Sequence, residues 1–166
     1  MSDESTPTTP GTVLDANVDA CHAPHQVAWR SLVRTHAAVS IRVQEALTDA
    51  GLPPLSWFDV LSTVAEHDGR MKMGELAEAL IITRGGLTKL VDRLVKAGLL
   101  ERVFCETDRR VSYASLLPAG AELLNEMLPV VSGELQVAFA ANITSNEAEL
   151  LTGTLDRVRG VACSLG

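Results

Sequence analysis

Thr83-Arg84-Gly85-Gly86-Leu87-Thr88-Lys89-Leu90-Val91-Asp92-Arg93-Leu94-Val95-Lys96-Ala97-Gly98 reads as one helix with both ends marked. Thr83 is a good N-cap, because its hydroxyl can accept from the unpaired N–H groups of the first turn. Gly98 follows the last periodic residue, where a left-handed residue ends a helix. Leu87, Leu90, Val91 and Leu94 recur at helical spacing, so one face is buried. The opposite face carries Gly85, Lys89, Asp92 and Lys96, flanked by Thr88 and Arg93, with Arg84 in the first turn. Taken alone this is an ordinary solvated amphipathic helix. Small residues at its start and several cations also suit a DNA major groove. That groove is about 12 Å wide, so bulky leading side chains would hold the backbone away from base edges.

The residues around the helix favour the second reading. Net charge is −7 over the 166 residues, which argues against a nucleic-acid partner. Its distribution reverses the argument: Arg70 to Arg110 holds nine bases and six acids, a local +3, against −10 elsewhere. A local basic surface is the electrostatic footprint of nucleic-acid binding, whatever the overall charge. The chain is 46% hydrophobic but only 4% aromatic, favouring a helical Leu/Val/Ala core in a single domain with extensions. No run reaches the roughly eighteen apolar residues of a membrane helix, and the start lacks a signal-peptide pattern. Cys21, Cys105 and Cys163 form no disulfide framework or paired motif. A cytoplasmic protein without cofactor or membrane contact is expected.

Outward from Thr83, each segment has its own period. Residues 1–23, rich in Ser, Thr, Pro and acid near the start, read as a disordered leader. A long helix runs from Pro24 to Ala50, with Trp29, Leu32, Val33, His36, Val39, Val43 and Leu47 as its stripe. Gly51-Leu52-Pro53-Pro54 stops it. Ser56 is expected to cap a second helix, Trp57 to Glu66. Met71–Met73 reads as a short extended piece and Gly74–Leu80 as a third helix. After Gly98 the period becomes two: Leu99–Cys105 and Val111–Leu116 read as a hairpin with the polar tip Glu106-Thr107-Asp108-Arg109-Arg110. Pro118 opens a helix to about Ala141, bent at Pro129 and Gly133. Ser145 is expected to start a capping box for the last helix, whose stripe is Leu150, Leu151, Leu155 and Val158. The fold class is mainly α with a small β wing: a winged helix-turn-helix over 51–117, plus a helical domain from 24–50 and 118–166. The outer helices carry more apolar surface than the small module can cover, so a second copy of the chain is the simplest partner.

Met73-Gly74-Glu75-Leu76-Ala77-Glu78-Ala79-Leu80, then Leu87 to Arg102, Asp108-Arg109-Arg110 and Leu116-Leu117-Pro118-Ala119-Gly120 occur in that order. On these motifs the chain, from roughly Ala28 to Val161, resembles the MarR-type (multiple-antibiotic-resistance-regulator) winged helix-turn-helix transcriptional regulators. The resemblance implies a homodimer whose outer helices form the dimerisation domain. It implies that two winged modules read a pseudo-palindromic double-stranded DNA operator, and it fits a repressor. It places Thr83, Arg84, Gly85, Thr88 and Lys89 against bases and phosphates, with Arg93 beside them. The family's wing motif falls on Asp108 and Arg110. Arg110 then enters the minor groove, where narrowness deepens the negative potential, and Arg109 lies on phosphate. Asp108 can hold the wing arginine in a charge-assisted pair. Asp92 pairs either with a wing arginine or with Lys96 or Lys89 along its own helix. Ile81-Ile82 replaces the family's usual polar or glycine turn, and Gly85-Gly86 replaces a small polar pair. Each glycine lowers helix propensity by about 0.8–1 kcal/mol relative to Ala, so the leading turn is expected to fray without DNA.

Family members often bind small aromatic acids between the dimerisation helices and the winged module. Trp29, His36, Trp57 and Phe58 are the residues here that would line such a crevice, with Arg30 and Arg34 to meet a carboxylate. The plainer reading of the aromatics is core. A rival regulator of the same fold would sense oxidants through Cys21, whose pKa His22 can lower. Cys21, His22 and His25 also resemble metal ligands, but a tetrahedral zinc site needs more, and no metal is expected. No phosphate loop, nucleophile elbow, HExxH motif or paired carboxylates on an apolar face points to an enzyme. The remaining alternative is a winged-helix module that binds protein, such as an antirepressor.

Overall fold

The computed structural model describes residues 23–104, 107, 108 and 111–164. Cys21, His22, Cys105, Arg109 and Arg110 lie outside them. Six helices and a small sheet follow in the order α1 (Pro24–Asp49), α2 (Leu55–Ala65), β1 (Arg70–Lys72), α3 (Met73–Ala79), α4 (Arg84–Lys96), β2 (Leu100–Phe104), β3 (Ser112–Leu116), α5 (Pro118–Ala138) and α6 (Ser145–Ser164), with a 3-10 turn at Ala140–Asn142. Contacts divide the chain into two units at Ala38/Val39, a boundary that falls within α1.

In the second unit the winged module has its own buried core. Val60, Leu61 and Val64 of α2, Leu76 and Ala77 of α3, and Leu87, Leu90, Val91 and Leu94 of α4 are buried together with Leu100 and Ala114 of the sheet. A second cluster joins Val43 and Leu47 of α1 to Met127 and Val131 of α5. The buried face of α4 is the one its spacing specifies. Its C-terminus closes as a Schellman motif: Gly98 at φ +73° sends its N–H to the Val95 carbonyl, and Leu99 sends its own to Leu94. Gly120 has a different reason. A Cβ there would collide with the carbonyl oxygen of Leu99, so the start of α5 lies against the end of α4 only because that side chain is missing.

The structure corrects several sequence expectations. The wing is a three-stranded antiparallel sheet in the order β1-β3-β2 rather than a lone hairpin. The short extended piece is Arg70–Lys72, with Met71 opposite Ala114, while Arg102 on the other side faces the same Ala114. A pairing between residues so far apart in sequence leaves no local signal. α2 starts at Leu55, not behind a Ser56 cap: Pro54 holds the N-cap position without a side-chain bond, and Gln44 Oε1 of α1 accepts the Leu55 N–H at 3.0 Å. The capping box of α6 is Thr144-x-x-Glu147, one residue earlier than Ser145. Thr144 donates from its N–H and hydroxyl to Glu147 Oε2 at 2.8 and 2.7 Å, and Glu147 N–H returns to Thr144 Oγ1 at 3.3 Å. α5 ends at Ala138, before the 3-10 turn, short of the expected Ala141, and its Leu128, Leu135 and Val137 are exposed.

Candidate nucleic-acid interface

The reading helix begins at a formed cap. Thr83 Oγ1 accepts the Gly86 N–H at 3.1 Å, and the Thr83 carbonyl accepts from Leu87 at 2.9 Å. Both glycines are therefore inside the helix, with Arg84 as its first residue. Arg84, Gly85, Lys89, Asp92, Arg93 and Lys96 are exposed on the side away from the core. Thr88 is half-buried, and its hydroxyl donates to the Arg84 carbonyl at 2.9 Å, which leaves its oxygen lone pairs for an incoming donor. The Arg93 guanidinium turns back along the helix, its Nε donating to the Lys89 carbonyl at 3.3 Å. Arg84, in the first turn, sits beside the positive end of the helix dipole, where an anionic phosphate is favoured, whereas Arg93 and Lys96 lie in the last turn.

The wing lies beside this face. Asp108 is exposed, and its carbonyl accepts from Val111 at 2.9 Å in the turn that leads into β3. Between α3, α4 and the wing is a depression of about 430 Å³ lined by Lys72, Arg84, Thr88, Arg102 and Ser112, among others. Lys72 Nζ donates to Glu75 Oε1 at 2.8 Å, and this hydrogen bond and charge raise the lysine pKa above its usual value.

Asp92 resolves toward the wing. Its Oδ1 stands 3.8 Å from Arg102 Nη1 of β2, not on a lysine of its own helix. Arg102 was absent from the site expected on sequence, yet period two marks it. Leu100, Arg102 and Phe104 share one face of β2, the face that begins at a buried leucine, and a cation turned that way needs partners.

The residues expected to line an effector crevice fall in different units. In the first unit Trp29 is 60% exposed, Arg34 and His36 are exposed, and Arg30 is half-buried. In the second, Trp57 packs on the core of the winged module and Phe58 on the α1–α5 cluster. Among the described residues no cluster of His, Cys, Asp and Glu is placed to hold a metal ion. No described helix is long and apolar enough to cross a membrane.

The MarR family model matches residues 50–111, the span from the end of α1 through the wing tip. The chain is 28% identical over 127 residues to the HTH-type transcriptional regulator MhqR of Bacillus subtilis, covering 76% of this chain and 86% of MhqR. Among solved structures it is similar to Sco3205, a MarR family transcriptional regulator from Streptomyces coelicolor in complex with DNA. That match has a TM-score of 0.74 and 28% identity, and covers 82% of this chain and 86% of the other. The fold also matches CouR from Rhodococcus jostii, bound to p-coumaroyl-CoA, at a TM-score of 0.72 and 22% identity over 83% and 95% of the two chains.

Proposed function

We propose that this chain, which belongs to the MarR family, is a transcriptional regulator that binds double-stranded DNA through α4 and the wing. The observation that carries the reading is the outer face of α4. Arg84, Gly85 and Lys89 are exposed at a capped helix start, in the basic segment of an otherwise acidic chain. Small leading residues let the backbone approach base edges, and the cations meet phosphate. The DNA complex of Sco3205, a protein 28% identical to this one, supports the assignment.

The DNA-binding residues of the proposal are Thr83, Arg84, Gly85, Thr88, Lys89 and Arg93, with Asp108, Arg109 and Arg110 at the wing. The working species is a homodimer on a pseudo-palindromic site. Supporting this, Val27, Trp29, Leu32 and Val33 of α1 and Leu150, Val158 and Val161 of α6 are exposed apolar residues. Residues 24–50 and 118–166 form the dimerisation domain, and 51–117 the DNA-binding domain. The protein represses until a small aromatic acid releases it, and Trp29, Arg30, Arg34, His36, Trp57 and Phe58 are the residues assigned to that response.

A salt titration of duplex binding tests the reading. Affinity should fall with a log–log slope near −0.9 per neutralised phosphate. Absent binding to every duplex in a random-sequence pool would instead favour a protein-binding module. Val158→Glu, at a position 57% exposed in the single chain, should convert the dimer to monomer in sedimentation. A dimer that survives it would remove α6 from the interface.

A further inference from the structure

We propose that Arg102 is a positioning residue for DNA recognition, locking the wing at a fixed angle to the reading helix; the proposal rests on the regulator reading above. Arg102 holds three elements at once. On β3, Ser112 Oγ accepts from Arg102 Nε and Nη2, both at 3.2 Å, and Ser112, only 7% exposed, is the buried polar residue among those described. On α4, Asp92 Oδ1 lies 3.8 Å from Nη1. On β2 itself, the guanidinium lies over the Phe104 ring, 5.5 Å from its centroid.

A planar guanidinium can satisfy these directions together, where a flexible ammonium would serve one at a time. The Arg102 side chain is 31% exposed and Asp92 60% exposed, so the ion pair alone is weak and screened. Its consequence is geometric. The pair with Ser112 fixes the guanidinium on the sheet, and Asp92 then ties that sheet to the face of α4 that enters the groove. Binding needs α4 in the major groove and the wing tip in the minor groove at the same time, so the angle between them sets whether both fit.

This role makes a prediction of opposite sign to the obvious one. An exposed carboxylate on a DNA-reading face repels phosphate, so removing it should tighten binding. If Asp92 instead works through Arg102, Asp92→Asn should weaken binding, and should tighten it only once Arg102 is already gone.

The experiment uses the full chain and a duplex that the wild-type protein enriches from a random-sequence pool. Affinity is measured for Asp92→Asn, Arg102→Gln and the double variant, and amide hydrogen exchange across β2 and β3 is followed without DNA. The expected result is at least about 3-fold weaker binding for Asp92→Asn in the wild-type background and tighter binding in the Arg102→Gln background, a coupling that non-interacting sites do not show. Arg102→Gln should speed exchange at Val103 and Ser112 while leaving Val60, Leu61 and Val64 of α2 protected. Tighter binding by Asp92→Asn in both backgrounds overturns the proposal, as does a drop of about 0.9 in salt slope with Arg102→Gln, which makes Arg102 a phosphate contact. Unchanged exchange in the wing overturns it independently of DNA. A wild-type chain that enriches no duplex overturns the regulator reading instead, and the exchange comparison still decides whether Arg102 holds the wing.

Discussion

The Gly86 N–H donates to Thr83 Oγ1 at 3.1 Å, and a Cβ built on Gly86 would stand 3.1 Å from the same oxygen. The cap and the missing side chain are therefore one arrangement. At Gly85 a Cβ would meet nothing within 4 Å. Gly85→Ala should stabilise the protein by about 0.5–1 kcal/mol through helix propensity. Gly86→Ala should gain less, because it disturbs a cap worth about 0.5–2 kcal/mol. Urea unfolding midpoints compare the two, and equal gains would show that the cap tolerates the methyl. If the leading turn frays without DNA, the double alanine variant should also slow exchange of its amides.

Ile81 stands at φ +52° and is 73% exposed. Its N–H reaches the Glu78 carbonyl and the Ile82 N–H reaches Ala77, so α3 closes as a Schellman motif with a β-branched residue where glycine is usual. The left-handed conformation costs about 1–2 kcal/mol in a residue with a Cβ. Ile81→Gly should raise stability by about 0.5–1 kcal/mol net of the added unfolded-state entropy. A lower thermal midpoint would mean that the isoleucine side chain packs more than its exposure implies.

Thr144 holds the Glu147 carboxylate below its ordinary pKa, first through its backbone N–H and then through its hydroxyl. A depressed folded-state pKa contributes stability that is present above the ordinary carboxylate value and lost as pH falls through the depressed one. Thr144→Ala keeps the backbone N–H and removes the hydroxyl, so it should return Glu147 only part of the way toward the ordinary value in a carbon-13 carboxyl titration and make the start of α6 less sensitive to acid. An unmoved titration would assign the shift to the backbone N–H alone.

Lys89→Ala should weaken binding to all duplexes alike and lower the salt slope by about 0.9. An unchanged slope would take Lys89 off the phosphate.

Arg110→Ala should cost most at sites with A·T-rich flanks, where a narrow minor groove concentrates negative potential. Equal loss on all flanks would remove the wing arginine from the groove. Binding to duplexes that differ only in their flanks measures this.

Local chemistry made much of the fold readable. Thr83 and Gly98 bound α4 in the structure as they do on paper, because a cap and a left-handed terminus act within one turn of the chain. Leu87, Leu90, Val91 and Leu94 are buried because a period of 3.6 residues leaves one face to bury them. The hairpin followed from period two around a polar tip. Asp92 was readable only as a choice between partners, and Arg102 emerged as its partner once β2 was set beside α4.

The sequence by itself determined which segments are helix or strand, which face of α4 is free, and where its cations lie. Tertiary structure decided that Arg70–Lys72 joins β3, that Gln44 of α1 receives the start of α2, and that Arg102 binds Ser112 and Asp92 together. It also decided that Val43 and Leu47 of the long α1 stripe are buried within one chain while Trp29 and Val33 are not. The physical reason is range. Caps, turns and hydrophobic periods are settled among residues a few positions apart. Pairings across tens of residues depend on where whole elements come to rest, and a linear pattern carries no coordinate for that.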